Sequence, residues 1–284
     1  MASPSGPVVS TAWLADRLGR PDLVVVDASW YLPAMARDPR AEYQSAHIPG
    51  AMFWDLDRLS DPDSPLPHML PPPDLAARQI SALGVGDRDT VIAYDGSATN
   101  LSAPRVWWQL RVLGHDAVAV LDGGLQKWLA EGRPTEAGWP TCSPHRFTAR
   151  LRPELIRTID QVQAFIGSDD TVMVDARSVG RFEGREPEPR VGVRGGHIPG
   201  ARNVPFGRMV AADGTLLPKA ELIRVFEEAG VDLGKPIVTS CGSGVTACAL
   251  ALGLEAIGHG SYAVYDGSWT EWGGRSDMPA EVGG

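Results

Sequence analysis

Short, nearly unbroken apolar runs punctuate this chain, and each one ends at an acidic, polar or glycine step. Leu23 to Asp27 (LVVVD), Thr90 to Tyr94, Ala117 to Leu121, Val172 to Asp175 (VMVD) and Ile237 to Ser240 leave no room for polar alternation. Runs of this length and β-branched content predict strands buried on both faces, as in a parallel sheet. Between them the apolar spacing lengthens to a helical period. Ser10 is expected to cap a helix through Trp13, Leu14 and Leu18, and further helices are expected around Asp74 to Leu83 and through Val106, Trp107, Leu110 and Leu113. One more carries Leu125, Trp128 and Leu129. Arg37 to Ala46 reads as a polar stretch, and Ser60 to Pro73 as a long proline-rich loop.

The second half repeats the first in order. Val172 to Asp175 answers Val24 to Asp27, and His197-Ile198-Pro199-Gly200-Ala201 answers His47-Ile48-Pro49-Gly50-Ala51. Ile237 to Ser240 answers Val91 to Tyr94, and Val264-Tyr265-Asp266-Gly267 with Trp272 answers Val120-Leu121-Asp122-Gly123 with Trp128. Strands alternating with helices, duplicated, predict two homologous α/β domains, each a mainly parallel sheet flanked by helices. Gly132 to Pro153, rich in Pro, Gly, Thr and Arg, supplies the linker. The expected layout is a domain over 1–138, a linker over 139–155 and a second domain over 156–284.

The stretch Ile237 to Cys248 (IVTSCGSGVTAC) carries the candidate chemistry. A strand feeding a glycine turn and then a helix N-terminus aims unpaired backbone N–H groups at one spot, where an anion is stabilised. Cys241 sits at that spot, and a thiolate is both the anion favoured there and the nucleophilic form of cysteine. A buried, inert cysteine is the plainer reading. Gly242 and Gly244 argue against it, because they make little sense in a packed strand but permit a tight loop with inward-facing amides. Gly242, Gly244 and Ala247 also fit a G-x-G-x-x-A dinucleotide pattern, with Asp266 downstream. The repeat weighs against that pattern, since Asp122 occupies the place of Asp266 in a half that lacks the glycines. Asp95 stands where the second half has Cys241, so one domain alone carries the nucleophile. His47 and His197 recur in the same turn of both halves, which favours a structural role for each.

Composition narrows the class. With 284 residues and 43% hydrophobic content the chain supplies a core for each domain, and a formal net charge of -9 disfavours nucleic acid or an anionic membrane as a partner. Three cysteines, Cys142, Cys241 and Cys248, make neither a disulfide framework nor a zinc-like spacing, so no metal is expected. With no leader-like N-terminal pattern and no apolar run long enough to span a bilayer, a soluble cytoplasmic protein is expected.

The two His-Ile-Pro-Gly-Ala turns, the paired Asp-Gly segments before a Trp-bearing helix, and CGSGVTA after the last-but-one strand resemble the tandem-domain rhodanese family over nearly the whole chain. The loop Gly242-Ser243-Gly244-Val245-Thr246-Ala247 is similar to that of its 3-mercaptopyruvate sulfurtransferase branch, because thiosulfate sulfurtransferases typically carry basic residues at the positions of Gly242 and Ser243. The resemblance implies that Arg181 and Arg190, in the loop from Gly180 to Arg190, hold the substrate carboxylate. Guanidinium forks suit that task. It also implies that Asp57, His68 and Ser243 form a proton relay. Sulfur would then pass from 3-mercaptopyruvate to Cys241 as a persulfide, releasing pyruvate, while the amides of Gly242 to Ala247 stabilise the sulfur anion. A thiol, a thioredoxin-like protein or cyanide would take the sulfur, and no cofactor is needed. The alternatives are a thiosulfate:cyanide sulfurtransferase and a persulfide carrier or binding module. A cysteine phosphatase is disfavoured, because its Cys-x5-Arg loop has Ala247 here in place of the arginine.

Overall fold

The computed structural model describes residues 4–283. Among the described residues there are ten short strands, the longer ones on the apolar runs. In the first half these are β1 (Val8–Val9), β2 (Leu23–Asp27), β3 (Met52–Phe53), β4 (Thr90–Tyr94) and β5 (Val118–Leu121). In the second they are β6 (Ile156–Arg157), β7 (Val172–Asp175), β8 (Arg202–Asn203), β9 (Ile237–Ser240) and β10 (Tyr262–Tyr265). They form two five-stranded sheets of orders β1-β5-β4-β2-β3 and β6-β10-β9-β7-β8, and every pairing is parallel. The two orders are the same once the second half is laid on the first, as the internal repeat requires. Strands β4 and β9 lie at the centre of their sheets and are buried throughout, which is why their sequences carry no polar face.

Among the described residues ten α-helices connect the strands. The first half holds α1 (Thr11–Ala15), α2 (Pro39–Ser45), α3 (Pro73–Ala82), α4 (Ala103–Val112) and α5 (Gly124–Ala130), and the second holds α6 (Ile159–Gln163), α7 (Val179–Phe182), α8 (Lys219–Glu228), α9 (Ala247–Ile257) and α10 (Ser268–Gly274). Ser10 caps α1 by accepting from the Trp13 N–H, but that helix stops at Ala15, short of Leu18. The polar stretch from Arg37 contains α2, which periodicity misses because a single residue, Tyr43, buries its side. Asp38 starts it, accepting from the Arg40 and Ala41 N–H groups, and Pro39 occupies the first turn, where a missing N–H costs nothing.

The chain folds into two compact units. One comprises the chain up to Asp63, Leu70–Arg152 and Val210–Leu216; the other comprises Ser64–Met69, Pro153–Met209 and the chain from Leu217 onward. Each therefore takes in a short segment from the other half of the sequence. The proline-rich segment through Arg152 is fastened to the first unit by main-chain bonds, including Asp87 N–H to Arg146 O and Arg150 N–H to Leu113 O, and by a bidentate pair between Arg152 and Asp116. The core of the first unit gathers Leu14, Ile48, Ile92, Tyr94, Leu121 and Trp128, and that of the second gathers Val162, Ile198, Val238, Tyr265, Trp269 and Trp272. The repeated histidines are buried and structural in both. His47 Nδ1 is 2.8 Å from Tyr43 O and stacks on the Tyr43 ring, while His197 Nδ1 is 2.8 Å from Phe182 O and stacks on Phe182. Among the described residues no helix is long and apolar enough to cross a membrane.

Candidate active site

Cys241 directly follows β9, at the carboxyl end of the central strand of the second sheet, where parallel sheets open their ligand crevices. It is 2% exposed, and the loop through Val245 is buried with it. The loop turns at Gly244, whose φ of +74° is a left-handed conformation that a side chain resists, and it feeds α9. Its geometry is set by the N-terminus of α10. Trp269 N–H donates to Cys241 O, and Thr270 donates through both its N–H and its Oγ1 to Gly242 O. Ser268 Oγ accepts from the Cys241 and Gly244 N–H groups, 3.1 Å each. The amide set expected at the sulfur therefore loses Gly244, whose N–H is taken inside the protein. The N–H groups of Gly242, Ser243, Val245, Thr246 and Ala247 remain as the donors the loop can offer an anion.

Ser243 is buried, and its Oγ lies 3.0 Å from His68 Nδ1. His68 comes from the segment Ser64–Met69, which folds with the second unit although it precedes it in sequence. Its φ of +62° shows that the backbone is held in a costly conformation to deliver that ring. Asp57, the third member of the expected relay, belongs to the first unit, where it is exposed.

Arg181 lies on α7 with its guanidinium against the loop. A Cβ added to Gly242 would sit 2.9 Å from Arg181 Nη2, so glycine here leaves room for the cation. The Nε/Nη2 edge of that guanidinium is held by Glu188, with Nη2 to Oε2 at 2.5 Å and Nε to Oε1 at 3.2 Å. Glu188 Oε1 also accepts from Arg177 Nη1 at 2.7 Å, and Arg177 forks onto Asp175 at the end of β7. The Glu188 carboxylate is only 3% exposed, so two arginines satisfy a charge that water does not reach. The series Asp175, Arg177, Glu188, Arg181 alternates in sign from the sheet to the loop. Arg190 closes the same loop and is partly buried.

Cys248 is fully buried on α9, its Sγ 3.2 Å from Gly244 O, while Cys142 is exposed. The corresponding loop of the first unit is closed on its own anion. The Asp95 carboxylate, where the second unit has Cys241, accepts from Ser97 N–H and Oγ and from the Ser102 and Ala103 N–H groups at 2.5 to 2.9 Å. Asp122, in the place of Asp266, accepts from Leu216 N–H at 2.7 Å and so holds the segment Val210–Leu216. No ribose-gripping role is needed for it. Among the described residues no group of three His, Cys, Asp or Glu side chains is arranged to hold a metal ion.

Sequence reasoning missed Glu188, Arg177 and Ser268. The first two were hidden in a charged loop. Ser268 left one signal: the repeat aligns it with Gly124, a position where the two halves differ.

A family model for the rhodanese-like domain matches the chain twice, at residues 10–131 and 158–275. The chain is 46% identical to the human 3-mercaptopyruvate sulfurtransferase, covering 96% of this chain and 94% of the relative. It is 46% identical to the Arabidopsis thaliana mitochondrial thiosulfate/3-mercaptopyruvate sulfurtransferase 1, over 98% and 79%. The crystal structure of SseA, a 3-mercaptopyruvate sulfotransferase from Escherichia coli, superposes with a TM-score of 0.85 at 38% identity, covering 93% of this chain and 99% of that one. With two matched domains, two parallel sheets of one order and a cysteine loop at the centre of the second, the chain belongs to the rhodanese family.

Proposed function

We propose that this protein is a sulfurtransferase that moves sulfane sulfur from 3-mercaptopyruvate through a persulfide on Cys241 to a thiol acceptor. The observation that carries the reading is the pairing of Cys241 with a loop that bears no cation of its own and has Arg181 laid against Gly242. A doubly charged thiosulfate calls for cations on the loop, whereas a monocarboxylate thiol calls for guanidinium groups beside it. The name of the human relative supports the same donor, and that of the Arabidopsis relative gives both thiosulfate and 3-mercaptopyruvate.

In the first half-reaction the Cys241 thiolate attacks the donor sulfur. A sulfur–sulfur bond forms, the bond from sulfur to C3 breaks, and its electron pair leaves as the enolate of pyruvate. Arg181 and Arg190 hold the carboxylate, and the loop amides bear the charge on sulfur. The enolate takes a proton at C3, a transfer assigned to Ser243 and His68. In the second half-reaction the acceptor thiolate attacks the outer sulfur and the electron pair of the sulfur–sulfur bond returns to Cys241. A thioredoxin-like protein and cyanide are the acceptors this chemistry admits. A reducing compartment suits it, because Cys142, Cys241 and Cys248 are all free thiols.

A thiosulfate donor is the second reading, favoured by 42% identity to the rat thiosulfate sulfurtransferase over 97% of this chain. A persulfide carrier without turnover is the third. Intact-protein mass after brief exposure of reduced enzyme to 3-mercaptopyruvate or thiosulfate separates them. Gain of one sulfur from mercaptopyruvate with release of pyruvate, absent in Cys241→Ser, supports the proposal. Loading from thiosulfate alone moves the assignment to the second reading, and loading from neither leaves the carrier.

A further inference from the structure

The structure assigns a positioning role to Ser268: its hydroxyl holds the nucleophile loop in the shape that turns its remaining amides toward the sulfur of Cys241. The inference rests on the reading of Cys241 as the persulfide carrier and concerns a residue outside the loop itself.

Three features set Ser268 apart. It is 0% exposed, yet its φ is +50°, in the left-handed region that a non-glycine residue enters at a cost. Its Oγ is fully used. It accepts from the Cys241 and Gly244 N–H groups and donates to Tyr265 O at 2.8 Å, so the hydroxyl ties the start and the turn of the loop to the end of β10. Finally, the other half of the molecule provides an internal control. Gly124 occupies the same place after Asp122-Gly123, with φ of +55°, and Leu125 N–H donates to Asp95 O as Trp269 N–H donates to Cys241 O. A Cβ on Gly124 would lie 2.7 Å from Asp95 O. The backbone thus takes one shape in both halves. In the half without a nucleophile the strained position is glycine and the loop wraps its own carboxylate. In the half with the nucleophile a serine bears the strain.

The physical reason is the count of donors. A loop that turns every amide inward presents more N–H groups than one sulfur anion can accept, and an unpaired buried donor is costly. Ser268 Oγ takes two of them at once, those of Cys241 and Gly244. That leaves Gly242, Ser243, Val245, Thr246 and Ala247 as the donors for charge that develops on sulfur. Fixing the loop before substrate arrives removes reorganisation from the chemical step.

Two variants separate this role from simple support of the fold. Ser268→Gly accepts the left-handed backbone, while Ser268→Ala keeps the strain; both lose the hydroxyl. The measurements are thermal melting and the single-turnover rate of sulfur loading from 3-mercaptopyruvate, followed by intact mass over a range of donor concentrations. Ser268→Gly is expected to melt above Ser268→Ala. Both variants are expected to load at least tenfold more slowly at saturating donor, with the half-saturating concentration changed less than twofold because the arginines are untouched. Activity then follows the hydroxyl while stability follows the backbone. A loading rate in Ser268→Gly that matches the parent, or that recovers in step with its melting temperature, overturns the inference. Sulfur loading that persists in Cys241→Ser is a different failure, that of the nucleophile assignment.

Discussion

His68 Nδ1 and Ser243 Oγ meet at 3.0 Å although the two residues are 175 positions apart in the chain. The contact forms inside the second unit, because the segment Ser64–Met69 folds there. Its left-handed backbone allows a clean test, since asparagine tolerates that conformation better than other non-glycine residues. His68→Asn is expected to keep the fold and the sulfur-loading site but to lower kcat for mercaptopyruvate by about 100-fold or more, as loss of a proton-transfer group does. Steady-state kinetics beside a melting curve decide it, and an unchanged kcat removes His68 from the relay.

Glu188 predicts a coupling. Its carboxylate holds one edge of Arg181 while also satisfying Arg177, and Glu188→Gln frees Arg181 to swing away from the loop. The expected result is a KM for mercaptopyruvate raised about tenfold, a loss of about 1.4 kcal/mol in donor binding. In an Arg181→Ala background the same substitution should add little, because the two act as one unit. Additive effects would show that Glu188 works by another route, and a KM untouched by Arg181→Ala would remove the clamp itself.

Gly242 is expected to matter through the space it leaves. In Gly242→Ala the new Cβ meets Arg181 Nη2 at 2.9 Å, and the guanidinium is the group that can yield. Stability should change little, whereas KM for mercaptopyruvate should rise several-fold. An Arg181 seen unmoved in a crystal structure of the variant, with KM unchanged, would refute the close-contact account.

Asp27 gives a prediction in pH. Burial raises its pKa from 3.8 to about 6, offset in part by hydrogen bonds from Ser29 and Tyr94 and reinforced by the nearby Asp95 carboxylate. In the second unit Arg177 forks onto Asp175 where the first unit has Ser29. The folded chain holds this proton more tightly than the unfolded chain does. The contribution of Asp27 is therefore fully present below about pH 4 and is lost as pH rises through 6, a difference on the order of 3 kcal/mol. Asp27→Asn stays neutral throughout. Urea unfolding should show it more stable than the parent at pH 7 and nearly equal to it at pH 4; equal stability at both would mean that Asp27 is not held protonated.

Local pattern carried much of this protein. The buried strands were legible because a parallel sheet covered on both faces leaves each central strand a run of apolar residues, as at Thr90–Tyr94 and Ile237–Ser240. The duplication was legible because the His-Ile-Pro-Gly and Asp-Gly turns recur in order, and Cys241 stood out because glycine turns after a strand have few other uses. Helix α2 was not, since one buried tyrosine makes no period. Tertiary structure alone decided which distant groups meet: the ring of His68 on Ser243, the Glu188 carboxylate between two arginines, and the Ser268 hydroxyl on the amides of Cys241 and Gly244. Periodicity reports which face of an element is buried. Hydrogen bonds between loops depend on where folding brings their ends, and no spacing along the chain encodes that.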